Sequence, residues 1–167
     1  MTRSSAVRSH ASDPLSRRVR ALCTFAAHMA CGDEVTAAAA LMVAREARMP
    51  RREAEECALM LVLHAGFPAA LEALRILNVA WPGRARRTRE GTPRQWRTRG
   101  EALCRRVYGP AYAKLVPAVR TLHPDMAVWM QETGYGRVLS RPGLGELERE
   151  LVAVAVLGVG AWERQLV

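Results

Sequence analysis

The side chains of this 167-residue chain best suited to proton transfer, thiol chemistry or metal binding are its four histidines and four cysteines. Cys23, Cys31, Cys57 and Cys104 lie far apart. None forms a Cys-x-x-Cys, and no His sits at zinc-ligand spacing from a Cys pair. Neither a dithiol relay nor a metal site is therefore expected. Cys23 and Cys31 fall eight residues apart on one predicted helix, about 12 Å along the axis at 1.5 Å per residue, too far for a disulfide within a straight helix. These cysteines read as buried, reduced thiols of a cytoplasmic protein. Among the histidines, His64 closes a long apolar segment. An imidazole there could act as a general acid or base, because it titrates near neutrality. A His in that position is more often a hydrogen-bonded core residue. His28 has no partner visible in sequence, and His123, just before Pro124, looks like a turn residue.

The basic side chains raise a different chemistry. The net charge is +9, and Lys114 is the only lysine among 25 Lys and Arg. Arg forks phosphate and carboxylate well, so anionic partners are permitted, although the skew toward Arg beside so much Ala also looks like a compositional bias. Residues 83–99, "GRARRTREGTPRQWRTR", concentrate seven Arg with almost no apolar residues. They read as a charged linker whose Trp96 docks back on the protein. The competing reading, a base stacked on Trp96, would make the segment a weak polyanion binder. Nucleic acid is not the expected partner.

The elements that must position these residues are helical. Half of the residues are hydrophobic and only 5% are aromatic. Ala and Leu dominate, which favours packed helices over sheets. Asp13 is a plausible N-cap and Pro14 a first helical residue. Leu15, Val19, Leu22, Phe25, Ala26 and Met29 then follow the helical repeat. Gly32 ends that helix and Asp33 caps the next. Pro50 starts a third, with Glu53, Glu55 and Glu56 in its first two turns, where the helix dipole favours anions. Gly66 and Pro68 then make a tight corner, with Phe67 expected as an apolar plug between two helices. Later helices are expected at 95–109, 110–123 and 124–133. A Gly-bounded turn follows, then a long final helix from Glu146 to Trp162. That helix is apolar over most of its circumference and needs cover, from residues 14–80 or from another subunit. No apolar run is long enough to span a bilayer, and no secretory signal is recognised at the N-terminus.

Two stretches resemble one family. "GYGRVLSRPGLGELERELVAVAVL" (134–157) is similar to the opening segment and first core helix of carboxymuconolactone decarboxylases and their alkylhydroperoxidase D-like relatives. "PRREAEECALMLVLHAGFPAALEAL" (50–74) is similar to their closing helices and Gly-Phe-Pro corner. The order is reversed relative to the family. Either residues 14–80 are a first, degenerate repeat followed by a second that stops early, or the unit is permuted. "LSRRVRALCTFAAHMACGD" also resembles the first core helix, which supports two repeats.

The resemblance implies an all-α, alkylhydroperoxidase D-like helical domain. Residues 1–12 would be a disordered start, 13–82 a first repeat, 83–99 the Arg-rich linker and 100–167 a second, truncated repeat. It further implies acid–base chemistry on a small carboxylated lactone without metal or cofactor, and homo-oligomers built from helices. Residue by residue, His64 stands where the family often has Tyr, and Glu56 matches an acidic helix position that could orient a base or hold a water. Tyr135 and Arg141 match the opening segment. Arg141 could clamp a substrate carboxylate bidentately or pair with a Glu of the final helix such as Glu146. The chain departs from the family in two places. The thiol pair of the peroxidase branch is missing. Where the decarboxylase branch carries a His on its second core helix, this chain has Ala40. These departures leave open a protein that has lost catalysis and works as a non-catalytic helical oligomerisation module.

Overall fold

The computed structural model describes residues 15–89 and 91–165, and among them every regular element is helical. The all-α expectation therefore holds. Helix α1 (Arg17–Ala30) is capped by Ser16, whose Oγ accepts from the Val19 N–H at 3.3 Å. It starts three residues later than the expected first position at Pro14. Asp13 and Pro14 lie outside the described residues. Helix α2 (Glu34–Glu46) is capped by Asp33, which accepts from the Thr36 N–H at 3.0 Å. The same carboxylate receives His28 Nδ1 at 3.0 Å, the partner that the sequence did not reveal. Helices α3 (Arg51–His64) and α4 (Gly66–Ala80) meet at the predicted corner. Gly66 adopts φ +84°, where a side chain would strain the backbone.

Phe67 corrects one expectation. It is 72% exposed rather than plugged between the helices. Helix α4 begins at Gly66 itself, so Phe67 falls in the first turn on the outer face, and Ala70, Ala73, Ile76 and Leu77 face inward instead.

Helices α1 to α4 enclose a core centred on Leu22, Phe25, Leu41, Met60, Leu61 and Leu77, all nearly inaccessible to solvent. After a loop at 81–92 comes α5 (Pro93–Tyr108). Thr92 and Gln95 cap it reciprocally, with the Thr92 N–H donating to Gln95 Oε1 at 2.8 Å. The last seven residues of the expected linker are thus helical. Helices α6 (Tyr112–Leu122) and α7 (Pro124–Trp129) follow, with His123 capping α7 by accepting from the Asp125 N–H at 3.1 Å.

The expected Gly-bounded turn comes later than residue 133, just before α8, where Gly143 has φ +110°. The chain continues from α7 as a π-helical segment, Met130–Leu139, with wider i→i+5 turns. Gly134 and Gly136 lie inside it because close packing favours small residues there. A Cβ on Gly136 would overlap the Trp96 carbonyl oxygen of α5, and one on Gly100 would overlap the Gln131 carbonyl oxygen. The two glycines let α5 and the π segment approach backbone to backbone, in the most extensive element pairing of the molecule.

Helix α8 (Glu146–Val159) then returns to the first core. It lies on α1 and α3, burying Val152 and Val156 and leaving Leu147, Val154 and Val159 exposed. Residues 15–80 therefore cover one face of this apolar helix and leave the other bare. No described helix is long and apolar enough to cross a membrane.

Candidate functional site

Glu56 sits in the second turn of α3 on its inward face, and only 3% of its side chain is accessible. Arg141, in the segment between the π helix and α8, reaches it with two donors. Nε donates to Oε2 at 2.9 Å and Nη2 to Oε1 at 3.1 Å, the bidentate fork that guanidinium and carboxylate geometry favours. Arg149, one turn into α8 and 2% accessible, adds Nη2 to Oε2 at 3.2 Å and also donates to the Arg141 carbonyl at 2.9 Å. Around this centre, Thr88 Oγ1 accepts from Arg141 Nη2 at 3.3 Å and from Arg52 Nη2 at 3.4 Å. Arg52 reaches the Pro142 carbonyl at 3.2 Å. One buried carboxylate thus holds α3, the segment before α8, α8 itself and, through Thr88, the Arg-rich loop.

Burial and charge oppose each other in this clasp. Burial pushes the Arg149 guanidinium below its ordinary pKa, and Glu56 opposes that shift. Arg149 Nε and Nη1 are buried without a hydrogen-bond partner. Arg141 was expected either to bind a substrate carboxylate or to pair with a Glu of the final helix such as Glu146. It takes Glu56, while Glu146 pairs with Arg106 at 2.5 Å.

The other expected site residues lie elsewhere. His64 is on the same helix as Glu56 but eight residues on, about 12 Å along the axis. Its Nε2 is buried with no hydrogen-bond partner, and burial holds its pKa below the ordinary imidazole value. Tyr135, half-buried in the π segment, donates its hydroxyl to the Tyr108 hydroxyl at 2.7 Å, with the rings edge to face and centroids 5.9 Å apart. Burial, then the Tyr108 bond, pushes its phenol well above its usual range. The structure brings Glu56 and Arg141 together and leaves His64 and Tyr135 outside the clasp. Ala40, at the family's histidine position, is a buried residue of the α1–α4 core.

All four cysteines are free thiols, but only Cys57 and Cys104 are buried as expected, whereas Cys23 is partly buried and Cys31 is exposed. Burial pushes Cys57 far up and Cys104 up to about 12, which leaves little thiolate for attack on a peroxide. Among the described residues, no three His, Cys, Asp or Glu side chains group so as to hold a metal ion.

Residues 3–78 match the model of the carboxymuconolactone decarboxylase family. This part of the chain is similar to that family. It contains α1 to α4, and with them Glu56 and His64 but not Tyr135, Arg141 or Arg149. No curated protein and no solved structure matches the chain. The carboxylate of the decarboxylase-family segment is thus held by arginines outside the matched stretch. Arg149 was not singled out in the sequence. Its signal was spacing, since Arg149, Val152 and Val156 fall on one face and place a guanidinium in the stripe that faces the core.

Proposed function

We propose that this chain is a helical assembly module with the carboxymuconolactone decarboxylase fold, in which Glu56 acts as an ion-pair clasp rather than as a base. The buried carboxylate carries this reading, since three donors of Arg141 and Arg149 already occupy its oxygens. Such a group has little to offer a substrate proton. Assembly is supported by apolar side chains left bare on two helices, Phe67 and Leu71 on α4 and Leu147, Val154 and Val159 on α8. Oligomers bury such faces. The two helices that resemble a first core helix, α1 and α8, lie against each other, in keeping with two repeats of which the second stops early. Four free thiols accord with a reducing compartment such as the cytoplasm.

The test is mass in solution by light scattering. A homo-oligomer is expected, reduced to monomer by Leu147→Asp with Val154→Asp. A wild-type monomer would reject the assembly reading. Val156→Asp is a control on folding, because Val156 is buried in the core.

The unpartnered Nε2 of His64 favours a second reading, residual acid–base chemistry on a small carboxylated lactone, with Arg141 no longer the substrate clamp. Loss of carbon dioxide from such a lactone, abolished by His64→Gln in a folded protein, would establish it. No turnover is expected on the first reading.

A further inference from the structure

Helix α6 contributes little to any core. Most of its eleven residues are apolar, yet Tyr112 alone among them is buried. It packs chiefly on α7, and the Arg105 guanidinium of α5 lies over the Tyr112 ring, 4.4 Å from its centroid. A helix this short is marginal in water without cover from other structure. We propose that the α6–α7 corner docks on the surface of an anionic lipid bilayer, lying on it without crossing it. This inference stands apart from the assembly reading, which rests on α4 and α8.

The first observation is apolar exposure. Leu122, the last residue of α6, is 84% exposed, and Met126 and Trp129, one turn apart on α7, are exposed as well. Only His123, an extended residue, separates the two helices, so all three side chains belong to one corner. An indole suits a membrane–water boundary, since its ring is apolar and its N–H is a donor.

The second is charge. From Ala102 to Pro124 the chain has four Arg and Lys and no Asp or Glu. Arg106 is taken by Glu146. Lys114 and Arg120 are exposed on α6 and make no ion pair among the described residues. Such cations attract anionic headgroups, and their apolar stems can lie along the acyl boundary. The acid at this corner, Asp125, lies 3.9 Å from the His123 imidazole and offsets only one of the two cations.

The charge also selects the occupant. Beside the bare faces of α4 and α8 the ions are paired, Arg75 with Glu34 and Glu72, and Glu146 with Arg106, as suits a contact between copies. A two-fold contact through α6 would instead bring the Lys114 and Arg120 of two copies together, and like charges so placed repel. A protein partner would need a groove shaped to this outer corner, whereas the boundary of a fluid bilayer yields around it.

The experiment is co-sedimentation of the full chain with lipid vesicles, either phosphatidylcholine alone or about one-third phosphatidylserine, at near-physiological salt. Binding to the anionic vesicles is expected, at least about tenfold stronger than to the neutral ones and largely lost at about 1 M salt. Trp129→Ala is expected to weaken binding roughly tenfold, and Lys114→Gln and Arg120→Gln about fivefold each. Val35→Ala, at an exposed apolar residue of α2, should change nothing. All four positions are exposed, so unchanged circular dichroism is expected for the variants. Absence of binding, or equal binding to neutral and anionic vesicles, would overturn the proposal. Binding indifferent to Trp129→Ala, or weakened as much by Val35→Ala, would do the same. A fall in mass by light scattering on Trp129→Ala, in the absence of vesicles, would reassign the corner to a second copy.

Discussion

Replacing Glu56 with Gln tests the clasp directly. The change keeps shape and one carbonyl acceptor but removes the charge that Arg141 and Arg149 share, at 2.9, 3.1 and 3.2 Å. Arg141 is 14% accessible and can recover some hydration, whereas Arg149 is 2% accessible and cannot. Two of the Arg149 nitrogens already lack partners, so the substitution leaves that guanidinium with neutral acceptors only, the Arg141 carbonyl and at most the retained amide oxygen. Breaking a buried pair by removing one partner costs about 3–5 kcal/mol. The amide oxygen retained by Gln points to the lower end, about 3 kcal/mol, a large part of the ~5–15 kcal/mol that holds a domain folded.

The assay is urea unfolding followed by circular dichroism. With an m value of about 2 kcal/mol/M, the midpoint should fall by roughly 1.5 M. The control is Glu146→Gln, which breaks the Arg106 pair between side chains more than half exposed and should cost under about 1 kcal/mol. Glu56→Leu with Arg149→Met should recover most of the loss, because it removes the orphaned cation as well as its partner. If Glu56→Gln and Glu146→Gln prove equally mild, Arg149 is not desolvated as described and the clasp reasoning fails.

Gly100→Ala and Gly136→Ala should each cost about 1–3 kcal/mol, because the added methyl meets backbone rather than a movable side chain. Gly134→Ala, where the nearest atom is 3.8 Å away, should be neutral or slightly stabilising; equal thermal midpoints for the three variants would refute the close approach. The lowered pKa of His64 sets a pH dependence. Below its unfolded value of about 6.5 the unfolded chain binds the proton more readily, so stability is full above that pH and declines as pH falls toward the folded value. Burial shifts Glu53 and Glu150 upward, giving the opposite slope at lower pH. The quantity to measure is therefore wild-type minus His64→Gln stability between about pH 7 and 5, and a flat difference would deny that the imidazole is buried. Turnover of an organic hydroperoxide with a dithiol donor should be absent; activity lost on a single Cys→Ser change would overturn the thiol argument.

The order of helices was legible in the sequence because caps and corners are local. Asp33, Pro50, Gly66 and Pro93 each act within a few residues of themselves, and the structure places helix ends at or beside all four. Phe67 was misread for the same reason. Local rules fix that it lies in a helix start but not which face of that start points inward, which depends on where α3 lies. The π segment was illegible for a related cause. Gly134 and Gly136 look like breakers in isolation, and only the neighbouring backbone of α5 makes small residues there a condition of packing.

The clasp shows where sequence reading stops. Glu56 was identified by its place in a family helix and Arg141 by its place in an opening segment, yet nothing in either stretch says that the two meet across 85 residues of chain. Arg149 is 93 residues from Glu56. Both arginines lie outside the stretch that matches the decarboxylase family, and the carboxylate lies within it. The charge of Glu56 is therefore paired by α8 and the segment just before it. The α8 face that docks carries Val152 and Val156, so the same movement that satisfies Glu56 also removes apolar surface from water. Charge pairing and apolar burial both fix α8 on α1 and α3. The opposite face of α8, with Leu147, Val154 and Val159, has no such partner among the described residues, and that asymmetry is the observation behind the proposed assembly.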